Sequence, residues 1–143
     1  MKLHATVLCA LAIAIGVAAA PSRDNAVIVN TGSTNTPGYK ISVWSDGSAS
    51  VTMSHRDGSP AGSPKSFNVA PATAARFFSD LAAARAGKAV TAPCMKSASF
   101  GTSTHINWKG WVSPDLDCPP NDSLGDALVR DYQEILKASG VGH

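Results

Sequence analysis

Clusters of like charge are missing from this sequence. Its 12 lysines and arginines are scattered among 10 aspartates and glutamates, and only 15% of residues are charged. That excludes the basic stripe of a nucleic-acid binder and the cationic amphipathic helix of a membrane-surface protein. Aromatic residues are scarce at 6%. Glycine fingerprints for nucleotides or flavins are absent. So are the Gly-x-Ser-x-Gly elbow and the Ser-x-x-Lys motif of common hydrolases, and no internal repeat is present. The histidines after the first twenty residues, His55, His105 and His143, are never two or four positions from one another. A strand or helix therefore presents no ready metal pair, and no cofactor is expected.

Cysteine is also sparse, with three in 143 residues, and its use depends on compartment. The opening "MKLHATVLCALAIAIGVAAA" carries Lys2 and His4, then an uncharged apolar run, then small residues. That is the pattern of a secretory leader. The run falls short of the roughly 20 apolar residues that span a bilayer, so cleavage is favoured over a retained anchor, and no stable membrane insertion is expected afterwards. Pro21 is a poor neighbour for a cut because its ring restricts the backbone, which places cleavage after Ala19. Cys9 lies inside the apolar run behind bulky Leu8 and leaves with the leader.

Removing residues 1 to 19 of 143 leaves 124 residues and two cysteines, Cys94 and Cys118. With Lys2 gone the formal charge is 11 basic against 10 acidic residues, or +1. In a secreted or periplasmic protein an even pair of cysteines implies a disulfide. Closing a loop of about 25 residues stabilises the fold by roughly 3 to 3.5 kcal/mol in the chain-entropy model. A chain of this length forms one domain.

Turn formers dominate "PSRDN" and "NTGSTNTPG", so residues 20–37 read as a tail, a short strand at Ala26 to Val29 and a loop. Residues 38–140 read as the single domain. In "GYKISVWSDGSASVTMSH" apolar residues alternate on both sides of a turn. A two-residue Asp46-Gly47 loop would oppose Val43 to Ser50 and mix the faces. A three-residue loop with Gly47 left-handed opposes Val43 to Ala49, Ile41 to Val51 and Tyr39 to Met53, and burial selects it. A short strand at Lys65 to Val69 follows "RDGSPAGSP". "PATAARFFSDLAAARAG" is helical, with Pro71 at its start, Gly87 at its end, and Ala74, Phe77, Phe78 and Leu81 on one face.

Thr102, Thr104, Ile106 and Trp108 share one strand face, Ser103, His105 and Asn107 the other, and Lys109-Gly110 reads as a hairpin turn. The last helix is expected to begin at Ser123 with Asp126 three residues on. It carries Leu124, Leu128, Tyr132, Ile135 and Leu136 on its apolar face and stops at Gly140. Two helices and about five strands give an α+β two-layer sandwich, a mainly antiparallel sheet with both helices packed on one face. That face should bear Ile41, Val51 and Ile106.

Chemistry concentrates in "CMKSASFGTSTHINWKGWVSPDLDC", residues 94 to 118. Ser97, Ser99 or Ser103 with His105 and Asp115 or Asp117 supplies each residue type of a serine triad. A triad is a matter of geometry, however, and these residue types alone do not make one. Asp115 and Asp117 together could take calcium with carbonyls and water, but with Pro114 they also shape a turn before Cys118. A polar sheet face is the other candidate, with Lys40, Trp44, Thr52, His105 and Asn107 on its outer side. One exposed tryptophan among hydroxyls and amides suits a polar ligand or a partner protein. The expectation is a small exported, non-catalytic binding module. A hydrolase using His105 with a nearby serine is the alternative.

Overall fold

The computed structural model describes residues 23–141. The expected leader and its cleavage site lie outside these residues. Six strands and two helices follow in the order β1 (Asn25–Asn30), β2 (Gly38–Trp44), β3 (Ser48–Ser54), β4 (Lys65–Asn68), α1 (Pro71–Gly87), β5 (Thr104–Trp108), β6 (Trp111–Val112) and α2 (Ser123–Ser139). One antiparallel sheet takes all the strands in the order β4-β3-β2-β1-β5-β6. The architecture is the expected α+β sandwich, with six strands where about five were expected and the two-residue β6 as the return arm of the Lys109-Gly110 hairpin.

The β2–β3 hairpin has the register that burial selects, with Val43 opposite Ala49, Ile41 opposite Val51 and Tyr39 opposite Met53. Gly47 takes the left-handed conformation at φ 85°. Because the side-chain period of a strand is two, this register puts Tyr39, Ile41, Val43, Ala49, Val51 and Met53 on one face and Trp44 on the other.

The strand expected in the N-terminal segment is interior to the sheet, pairing with β2 on one side and with β5 on the other. Residues 20–37 therefore do not stand apart from the domain over the part described. The row Ile106, Ile28, Ile41, Val51 crosses four strands through β1 and is at most 5% exposed.

Both helices cover this face. Phe77 and Leu81 of α1 and Leu128 and Ile135 of α2 are wholly buried against it, and each such side chain stabilises the fold by roughly 1.5 to 3 kcal/mol. Gly87 is the last residue of α1, as expected, and Lys88 after it takes the left-handed conformation at φ 54°. Glycine is needed at 87 because a Cβ there would sit 2.4 Å from Leu124 Cδ1 of α2. The cap of α2 is Asp122, one residue before the expected Ser123. Its Oδ1 accepts the Gly125 N–H at 2.7 Å. Its Oδ2 accepts the Val90 N–H at 3.2 Å, tying the end of α1 to the start of α2.

A charged cluster joins the helices. Arg76 of α1 donates to Asp131 at 2.8 Å and to Glu134 at 2.6 Å. Arg130 reaches Asp80 at 2.7 Å and Asp131 at 3.2 Å. The Asp131 side chain has no exposure, and its Oδ2 has no partner among the described residues. Burial pushes this carboxyl above its ordinary pKa, against the pull of Arg76. Tyr39 and Tyr132 join hydroxyls in the core, and burial and this contact push Tyr39 well above the usual phenol range.

Candidate functional site

The uncovered face of the sheet carries the row His105, Val29, Lys40, Thr52 and, beside it, Asn107, Val27, Ser42, Ser50 and Ser66. Lys40 and Asn107 are exposed, while Thr52, His105 and Trp44 are half-buried. The Trp44 ring is partly occupied, with the Arg23 guanidinium 5.3 Å above its centre and paired to Asp46 at 2.7 Å. The Ser48 N–H and Arg23 hold the Asp46 carboxyl at a pKa of about 2. Alternation of apolar and polar residues along each strand produces this face, which is the ordinary consequence of covering one side of a sheet.

The triad candidates do not converge. His105 Nδ1 donates to the Ser113 carbonyl at 3.0 Å, and no hydrogen bond joins its ring to a serine hydroxyl among the described residues. Ser97 Oγ accepts the Ser99 N–H at 3.3 Å. The Ser99 carbonyl accepts the Ser33 hydroxyl at 2.9 Å and the Asn35 N–H at 3.1 Å. Ser103 Oγ lies 3.1 Å from Lys96 Nζ.

A serine beside a lysine invites a Ser-Lys dyad, but this lysine is fully engaged. Its ammonium donates to Ser103 Oγ, to Asp115 Oδ2 at 2.5 Å and to the Thr102 carbonyl. An ammonium has three donors and no acceptor, and all of Lys96's are taken. It acts as a clamp, because a base would need a free electron pair facing the serine. Burial pushes the Asp115 carboxyl up. The Lys96 ammonium, the Asp117 and Thr104 N–H groups and Ser103 together outweigh that effect and hold it below the usual carboxylate range. Asp117, the other acid of the pair, accepts the Thr102 hydroxyl at 2.6 Å. Among the described residues no group of three or more histidines, cysteines and acids is placed to hold a metal.

These bonds assemble a braced loop. Cys94 and Cys118 are joined, with Cα atoms 5.5 Å apart. Ala92 N–H donates to the Pro119 carbonyl at 2.9 Å, and Gly101 N–H closes a turn on the Ser97 carbonyl at 2.7 Å. Gly101 admits no side chain, since a Cβ would lie 2.5 Å from that carbonyl. The β1–β2 connection, residues 31–37, supports the loop from the side. Besides Ser33 and Asn35, Thr34 Oγ1 donates to the Ala98 carbonyl at 3.1 Å, and Thr31 N–H reaches the Ser103 carbonyl at 3.0 Å.

Two large apolar side chains stand out from this frame. Met95 is 103% exposed and Phe100 is 68% exposed. Neither was a candidate from the sequence. The signal available there was a methionine and a phenylalanine in a coil with no apolar period to bury them. Comparisons with protein-family models, with curated proteins and with solved structures find no significant match. Among the described residues no helix is long and apolar enough to cross a membrane. The disulfide is compatible with an extracellular or periplasmic protein.

Proposed function

We propose that the protein is an exported, non-catalytic binding module that engages a partner protein through the Cys94–Gly101 loop. One observation carries the reading: Met95 and Phe100 are exposed at 103% and 68% on a segment fixed by a disulfide and by hydrogen bonds from two other loops. An apolar side chain left in water contributes nothing to folding. Holding it on a rigid support lowers the entropy lost when a partner covers it. Methionine adapts to varied apolar pockets, and aromatic residues anchor interfaces. The outer sheet face supports binding less well, because its side chains are mostly short hydroxyls and its tryptophan already carries Arg23. The hydrolase alternative finds no support in the bonds made by His105 and Lys96. Export to the periplasm or medium, with the leader removed after Ala19, belongs to the same proposal.

The test places a photo-crosslinking residue at position 100 in the full-length protein within its native envelope, and a second at Ser50 on the sheet face. A discrete adduct from position 100 that disappears with Met95→Asp is the expected result. An adduct from position 50 alone, or one from position 100 that survives Met95→Asp, refutes the loop as the binding site.

A further inference from the structure

We propose that the Met95 loop is a substrate-like docking loop for a serine endopeptidase with an apolar specificity pocket, and that the protein inhibits such an enzyme. The inference rests on the loop-binding reading above and names its partner. Its starting point is the contrast among three consecutive residues. Cys94 is tied to Cys118, and Lys96 is tied to Thr102, Ser103 and Asp115. Between them Met95 has its whole side chain in solvent. A single long, unbranched apolar side chain held out between two anchored neighbours fits a narrow cleft with one deep pocket better than a flat surface. The pocket that sets the specificity of serine endopeptidases is built in that way, reading the one side chain before the bond to be cut.

The chemistry of the pocket follows from which side chain is free. Lys96 is next in sequence and would suit an acidic pocket, but its ammonium is used within the protein. Met95 is the free one, so the pocket is apolar. Phe100 lies on the same loop and offers a second apolar contact beside the cleft.

The bracing also explains how such a loop would inhibit and not merely be digested. Hydrolysis of the Met95–Lys96 peptide bond consumes one water and leaves a Met95 carboxylate and a Lys96 ammonium at the new ends. The reverse reaction expels that water and restores the bond. In this fold neither new end is free to leave. Met95 stays bonded to Cys94, which the disulfide links to Cys118 on the other side of the cut. Lys96 stays held through its side chain to Asp115, and the Ala98 and Ser99 carbonyls stay held by Thr34, Ser33 and Asn35. Product release is thus opposed on both sides of the cut. The loop is also ordered before it binds, so association avoids the entropy cost of fixing its residues.

The experiment titrates the oxidised protein into a chymotrypsin-type, a subtilisin-type and a trypsin-type serine endopeptidase, each reporting on a chromogenic peptide. The expected result is inhibition of the chymotrypsin-type or subtilisin-type enzyme, or both, with the trypsin-type enzyme unaffected. Met95→Asp should weaken that inhibition about 100-fold, as for a central anchor, and Ser50→Asp should leave it unchanged. Long incubation should yield a species one water heavier that separates into two pieces only on reduction. Failure to inhibit either apolar-pocket enzyme overturns the proposal. So does inhibition of the trypsin-type enzyme alone, or cleavage of the loop as fast as an ordinary substrate. Equal inhibition by Met95→Asp also overturns it. A crosslinked partner at position 100 that is not a peptidase overturns this inference while leaving the binding reading intact. No crosslinked partner at all removes the binding reading as well.

Discussion

Substituting alanine at Gly47 and at Gly110 separates two reasons for a glycine in a hairpin turn. Both have positive φ, 85° at Gly47 and 76° at Gly110, so each alanine meets the left-handed penalty of roughly 1 to 2 kcal/mol. They differ in what surrounds them. A Cβ at Gly110 meets nothing within 4 Å, whereas one at Gly47 lies 2.7 Å from the Val69 carbonyl oxygen. That carbonyl is backbone at the β4–α1 corner, and Val69 N–H is itself held by the Gly47 carbonyl at 2.8 Å. Relief therefore requires the hairpin and the start of α1 to move apart, at an overpacking cost of about 1 to 3 kcal/mol. Gly110→Ala should lose about 1 to 2 kcal/mol, and Gly47→Ala at least about 1 kcal/mol more. Urea unfolding followed by tryptophan fluorescence, with the disulfide intact, reads the difference as a midpoint lower by roughly 0.5 to 1 M at ordinary m-values. Equal midpoints, or a larger loss at Gly110, would refute the claim that the β2–β3 turn is docked on that corner.

Replacing both Cys94 and Cys118 by serine should cost about 3 to 3.5 kcal/mol by loop closure, measured in the same assay. A loss under about 1 kcal/mol would mean that the surrounding hydrogen bonds already restrain the open chain. For Asp131 the prediction is one of pH. Its carboxyl is raised in the fold, so the folded state binds more protons than the unfolded one as pH passes from the unfolded pKa of about 3.9 up to the folded value. Stability from this group is full below that window and falls as pH rises through it. Wild type should therefore hold its greatest advantage over Asp131→Asn near pH 3.5 and lose ground by pH 7, in paired denaturation curves. An advantage that grows with pH would reverse the assigned direction.

How much of this was legible in the sequence depended on whether the deciding interaction was local. The β2–β3 register could be chosen from Val43, Ile41 and their opposites, because one wrong residue would have turned apolar side chains to water. The helices followed from periodicity and punctuation. The interior position of β1 was hidden, since it arises from pairing with β5 through Val27 and Asn107 at one end and Asn30 and Thr104 at the other, partners far apart in the chain, and no local pattern reports it. Gly87 was readable as a helix stop, but its closeness to Leu124 of α2 was not. Nothing in the sequence marks Asp131, and it is buried between two arginines. In the loop the cysteine pair was readable from its export context, and the clamp around Lys96 was not, because Thr102, Ser103 and Asp115 meet it only after β5 has joined the sheet.

The loop from Cys94 to Thr102 inverts the usual placement of side chains, while the strand after it buries Ile106 and Trp108 in the ordinary way, and this inversion ties the loop's architecture to its use. Its polar groups are spent internally. Lys96 takes Asp115 and Ser103, Thr102 takes Asp117, His105 takes the Ser113 carbonyl, and Ser113 Oγ accepts the Ile106 N–H at 2.8 Å. In the loop its apolar groups at 95 and 100 are left in water, more fully than Val112 on β6. Folding alone rewards the opposite arrangement, since buried polar groups gain little net free energy while exposed apolar surface gains none. A polar loop whose residues merely faced water would need no disulfide and no support from residues 31–37. The bracing gains a purpose once Met95 must be held at a fixed position for something else to grip. On this reasoning the serines, histidine and aspartates that resemble a catalytic set are the frame, and the methionine beside the cysteine is what the frame presents.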